Sequence, residues 1–153
     1  MNGCLSVSCP VGMDKNVFAG IMSTDMSDVR GHIKDKEGLA ESYLILLEIE
    51  WKKYLCMIYL NKGKKFPMSA PVDHFAHAHI SHTRSYHDFC SNVMGGYVHH
   101  TPTKNEEERN ALLPSYLLST IPIMEKLFGV VDESIWDRKV CVCTYDIDDG
   151  DDD

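Results

Sequence analysis

Residues 72–102 read VDHFAHAHISHTRSYHDFCSNVMGGYVHHTP and hold seven of the eight histidines in a chain of 153 residues. The stretch has an internal plan. Val72 to His82 predicts one helix and Thr83 to Met94 a second, with Thr83 as its N-cap and Gly95-Gly96 as its stop. After the glycines the chain turns back, and Tyr97 to Pro102 reads as extended. Two helices joined by a break and followed by a returning segment imply a small helical unit with imidazoles on several of its faces.

Imidazole is the commonest metal ligand, and zinc takes about four N, S or O donors in a tetrahedron. Spacing limits which donors can converge. On one helix Asp73 and His77 are a turn apart and face the same way, as do His79 and His82. His77 and His79 differ by roughly 200° at about 100° per residue, so an unbroken helix cannot direct both to one ion. On the second helix Thr83, Tyr86 or His87, and Cys90 share a face. His99 and His100 are adjacent in an extended segment, so at most one faces the centre easily. The economical four-donor set is Asp73 or Cys90 with His77, His79 and one of His99 and His100, around zinc or iron. The alternative is a buried polar network, in which the histidines hydrogen-bond carboxylates or carbonyls and Phe75, Tyr86 and Tyr97 pack around them. Cys90, on an apolar helical face, also reads as a small hydrophobe.

Working outward, Ala40, Tyr43, Leu44, Leu47, Trp51, Tyr54, Leu55 and Ile58 recur at three- and four-residue steps and predict the main core helix. Glu48 and Lys52 pair one turn apart on its other side, and Asn61 with Gly63 ends it. Downstream, Glu106-Glu107-Glu108 opens another helix, which Pro114 and Pro122 kink or divide and Gly129 ends. Asp14 and Thr24 or Ser27 mark short helices near the start. KVCVCTYDI alternates as a strand, with Val140, Val142 and Thr144 on one side and Cys141, Cys143 and Tyr145 on the other. The expected fold is mainly α: a single small helical domain over residues 37–130, an N-terminal arm with short helices over 1–36, and an extended C-terminal segment over 131–153 that holds one short strand and an acidic tail.

The formal net charge is -8, and much of it sits in the tail DIDDGDDD. Without a basic face, nucleic-acid binding lacks its electrostatic footprint. The most apolar run, Leu39 to Leu60, is broken by Glu41, Glu48, Glu50, Lys52 and Lys53, which argues against a membrane span. MNGCLSVSCPVGMD has no basic n-region and no long apolar run, so no export signal is read. The six cysteines are then expected as reduced thiols or metal ligands, and the protein in the cytoplasm or within a virus particle assembled there. Cys4 and Cys9 with Cys141 and Cys143 form a second candidate, a zinc clamp between the two ends of the sequence, although neither pair has the usual two-residue gap. The aspartate tail lacks a calcium loop. No Walker loop, dinucleotide fingerprint or nucleophile elbow is present.

Val72-Asp73, Phe75, His77, His79-Ile80, Thr83, Tyr86, Cys90, Gly95 and His99-His100-x-Pro102 together resemble the core of the glycine-rich-domain-containing protein family, whose pattern is approximately VDxFWHxHIxDTxxYxxDCxxxxGxxxHHxP. That family includes plant proteins and short relatives in bacteria and phages. The resemblance covers about residues 40–130. It implies a small, mainly helical domain that reuses Asp73, His77, His79, Cys90, His99 and His100. Ala76 stands where the pattern has tryptophan, and His82 and Phe89 where it has acids.

Loss of those groups beside the histidines favours a non-enzymatic module, a structural or interaction component of a larger assembly such as a phage particle, with protein partners or a second copy of itself. A metal-dependent enzyme that uses His77, His79 and His99 or His100 is the alternative, with Asp73 or Tyr86 moving a proton. A metal or redox sensor that uses Cys90 or Cys141-x-Cys143 near histidines is the third reading.

Overall fold

The computed structural model describes residues 7–149. Cys4 of the candidate clamp and Asp151, Asp152 and Asp153 of the tail lie outside the described residues. The fold is mainly helical, with a small sheet at one side, and the main helix runs through its middle.

That helix, α3 (Glu41–Leu60), follows two short ones, α1 (Lys15–Ser23) and α2 (Ser27–Glu37). Asp14 caps α1, its carboxylate accepting from the backbone N–H groups of Asn16 and Val17 at 2.7 and 3.1 Å. Gly38 ends α2 with φ 71°, the left-handed conformation that glycine adopts without a Cβ clash. Leu44, Leu47, Trp51, Tyr54, Leu55 and Ile58 of α3 are buried, as their spacing predicts.

The opposite face of α3 is covered too, which its charges did not announce. Glu48 and Lys52 are buried and paired at 2.6 Å. Arg30 of α2 also binds Glu48, and the Lys52 ammonium donates to the carbonyls of Met22 and Thr24 at 3.0 and 2.7 Å. An i,i+4 pair of opposite charges looks alike in sequence whether it is solvated or covered. Here α1 and α2 pack across it, and Arg30 and the two carbonyls complete its hydrogen bonds.

The C-terminal strand finds partners on both sides. The sheet order is β1 (Phe66–Met68), β3 (Cys143–Ile147), β2 (Val98–Pro102), both pairings antiparallel, with Tyr145 opposite Phe66 on one side and His100 on the other. Cys143, Tyr145 and Ile147 are buried. Tyr145 enters an aromatic group at the centre, 5.3 Å from Trp51 and 6.0 Å from Tyr54 between ring centroids. Trp136, in the connection to β3, stacks on Tyr54 and donates its indole N–H to Glu50 at 2.8 Å.

Between β1 and β2 run α4 (Ala70–Ser81) and α5 (Thr83–Phe89), and a π-helical turn, Cys90–Met94, that ends at Gly95 with φ 74°. The break falls where expected, but His82 rather than Thr83 occupies the cap position of α5, and no side chain caps it. After β2 come α6 (Glu106–Ser115), a second π-helical turn (Tyr116–Thr120) and α7 (Ile121–Phe128). Pro114 and Pro122 lie on either side of that second turn; each lacks an N–H, so regular i→i−4 bonding is interrupted there. Among the described residues, no helix is long and apolar enough to cross a membrane.

Candidate metal centre

Asp73 lies in the first turn of α4, where a carboxylate suits the helix dipole, and His77 follows one turn later on the same face. β2 runs beside them. Alternation along that strand directs His100 to the pair and His99 away from it. The three side chains meet at their tips: His77 Nε2 is 3.1 Å from His100 Nε2, and Asp73 Oδ1 is 3.4 Å from the first and 3.7 Å from the second. Two imidazole nitrogens that close share either one proton or one metal ion.

The donor triangle has a definite size. The point equidistant from its corners lies about 2.0 Å from each, which is the Zn–N and Zn–O bond length. Bonds of about 2.05 Å set donors roughly 3.3 Å apart at tetrahedral angles and roughly 2.9 Å apart at octahedral ones. The observed separations fall nearer the tetrahedron. Among the described residues, this is the one group of three or more His, Cys, Asp or Glu donors that close together.

Asp73 is braced from behind by β3. The Tyr145 hydroxyl and the Cys143 thiol each donate to its Oδ1 at 2.8 Å. Burial first, and then the adjacent Asp73 carboxylate, pushes the pKa of both groups upward, so both keep their protons and remain donors. Burial lowers the pKa of His100, with the Asp73 carboxylate opposing the shift and His77 adding to it. That favours the neutral imidazole, the form that binds metal. His77 is half exposed, whereas Asp73 and His100 are largely covered. The triad opens on a cleft of about 270 Å³ that Thr103, Arg109, Val142 and Cys143 also line.

The remaining expected donors sit elsewhere. His79 is buried on the far side of α4, where its Nδ1 accepts the Trp51 indole N–H at 3.0 Å and its ring meets Tyr86 and Phe89 edge-on. Cys90 opens the π-helical turn as a buried thiol, raised in pKa chiefly by burial. His99 faces outward and pairs with Asp148 at 2.9 Å. The six-residue donor set therefore narrows to Asp73, His77 and His100. Of the other histidines, His74 pairs with Glu37 and His82 bonds the Ala78 carbonyl. Cys9 and Cys141 join no cluster among the described residues, and Cys9, Cys56, Cys90, Cys141 and Cys143 are all free thiols.

Tyr145 and Arg109 are neighbours of the triad that sequence reasoning did not attach to it, and Cys143 was not read as a brace on Asp73. Strand alternation placed Cys143 and Tyr145 on one face, and Cys143 otherwise reads as part of a zinc clamp between the two ends or of a thiol sensor near histidines. Nothing local to Arg109 points to the cleft.

The family model described as UCP032817-like matches residues 22–112 of the chain. No curated protein and no solved structure matches it.

Proposed function

The chain belongs to the UCP032817-like family over a span that includes all three donors, and we propose that it is a helical metal-binding module holding one zinc-like ion on Asp73, His77 and His100, with the open coordination position available to a ligand. The observation that carries this reading is the donor triangle, whose centre stands one metal–ligand bond length from all three atoms. Two ligands one turn apart on a helix and a third on a neighbouring strand make a preorganised grip. Tyr145 and Cys143 supply the outer hydrogen bonds that fix a ligating carboxylate. Three protein donors leave a position free, whereas structural zinc sites are closed by four. The motif likeness to the glycine-rich-domain-containing proteins belongs to the same proposal, since Asp73, His77 and His100 are among the positions it reuses.

The test is metal content and affinity. Protein purified without added metal, or metal-stripped and titrated with zinc against a chromophoric chelator, is expected to bind about one equivalent. Asp73→Ala, His77→Ala and His100→Ala should each weaken binding by orders of magnitude, and His99→Ala and Cys90→Ala should leave it unchanged. Loss of zinc in the last two with retention in the first three would sink the proposal.

A second reading, metal-dependent hydrolysis, is favoured by the open position in a cleft, since a zinc-bound water becomes a nucleophile near neutral pH. Beyond the three donors, the lining residues named above include no carboxylate or imidazole to act as a separate base. Any turnover would therefore rest on the bound water alone. Zinc-dependent cleavage of an activated ester or phosphate ester, abolished in His77→Ala, would select this reading over simple binding.

A further inference from the structure

We propose that the ligand of this centre is an oxyanion, a carboxylate or phosphate group clamped between the metal ion and the Arg109 guanidinium. The inference rests on the metal reading above and specifies what occupies the open position. Arg109, on α6, lines the same cleft as Asp73, His77 and His100. It is partly buried, and among the described residues no carboxylate lies within ion-pair distance of it, although Glu106, Glu107 and Glu108 directly precede it. Arg30 and Arg138, by contrast, are each engaged by two glutamates. An arginine that lines the cleft of the donor triad and has no carboxylate partner retains its full capacity for a forked, charge-assisted grip on two oxygens.

Charge accounting points the same way. With a divalent ion bound, the ion and Arg109 would bring three positive charges to the cleft against one negative charge from Asp73, so the loaded site would be electropositive within a chain whose net charge is -8. A neutral ligand would leave that excess uncompensated. The cleft of about 270 Å³ lies just below the usual range for drug-sized ligand pockets, which suits a small group.

Cobalt(II) in place of zinc gives a visible d–d spectrum that reports on the open position. The cobalt-loaded full chain would be titrated with inorganic phosphate, with acetate, and with uncharged acetamide. Saturable spectral change is expected with phosphate or acetate and none with acetamide, and the tighter of the two anions identifies the class. In Arg109→Gln the anion dissociation constant should rise about tenfold or more with cobalt affinity unchanged, and Arg109→Lys should recover part of the loss. If cobalt does not bind through Asp73, His77 and His100, the metal reading itself fails. If cobalt binds that way but neither anion changes the spectrum, or both bind Arg109→Gln as tightly as the native chain, the metal reading stands and the clamp is overturned.

Discussion

Lowering the pH from 7.5 to 4.5 should cost the metal-free protein about 3 kcal/mol through His79 alone. The indole N–H of Trp51 can only donate, so His79 Nδ1 must accept and the buried ring must be neutral. Protonation would set two N–H groups against each other and leave a cation among Trp51, Tyr86 and Phe89. Burial, reinforced by His82 and Lys52, pushes the His79 pKa from 6.5 down to about 4. The folded state thus binds a proton less readily than the unfolded chain. Stability is intact above pH 6.5 and drains away as the pH falls towards 4, at about 1.4 kcal/mol per pH unit. The loss approaches 3 kcal/mol, a large share of the roughly 5–15 kcal/mol that holds a domain of this kind together. The assay is urea unfolding at pH 7.5 and 4.5 in a metal chelator, for the native chain and for His79→Gln, which has no imidazole to titrate there. Carboxylates and the other histidines affect both proteins, so the native chain should lose about 3 kcal/mol more than the variant. Equal losses would show that His79 is not buried in its neutral form against Trp51.

Replacing Tyr145 with Phe removes one of the two donors on Asp73 with little change in volume, and zinc affinity should fall about 10- to 100-fold with the fold retained; an unchanged affinity in chelator competition counts against the bracing role. Lys52→Met leaves Glu48 with Arg30 alone and strips the Met22 and Thr24 carbonyls of their donor, so urea unfolding should register a loss of about 3–5 kcal/mol. A loss below about 1 kcal/mol would mean that the pair behaves as a solvated one. Gly95→Ala should cost about 1–2 kcal/mol, because φ is 74° while nothing lies within 4 Å of the added carbon; a far larger loss in the same assay would point to a packing clash instead.

The helices were legible because their information is local. Three- and four-residue spacing marked α3, Gly95 and Gly129 marked ends, and the Asp73–His77 step marked one face of α4. What depends on pairing between distant segments was not. Tyr145 meets Phe66 and His100 across long stretches of chain, so the alternation of Cys143 and Tyr145 announced a strand and withheld its neighbours. The same limit acted at the site. Adjacency showed that His99 and His100 point opposite ways, but which of them faces α4 is set by the register of β2 on β3. The angle between His77 and His79 separated the two residues, while the partner that holds His79, Trp51, lies on another helix. Tyr145, Cys143 and Arg109 reach the centre only through tertiary packing.

The central place of β3 has a consequence for the order in which the molecule can be built. It is the last element in chain order among the described residues, yet β1 and β2 are joined into one sheet only by their hydrogen bonds to it. A chain emerging from a ribosome would carry both outer strands with an empty slot between them until residues 143–147 arrive. Asp73 and His77 can align as soon as α4 forms, but His100 gains its register, and Asp73 its two braces, only in that closing step. Long-range pairing of this kind is slow relative to helix formation. Premature release before β3 would therefore yield a largely helical body that holds two of the three donors, cannot complete the grip, and exposes the unpaired edges of two short strands to other chains.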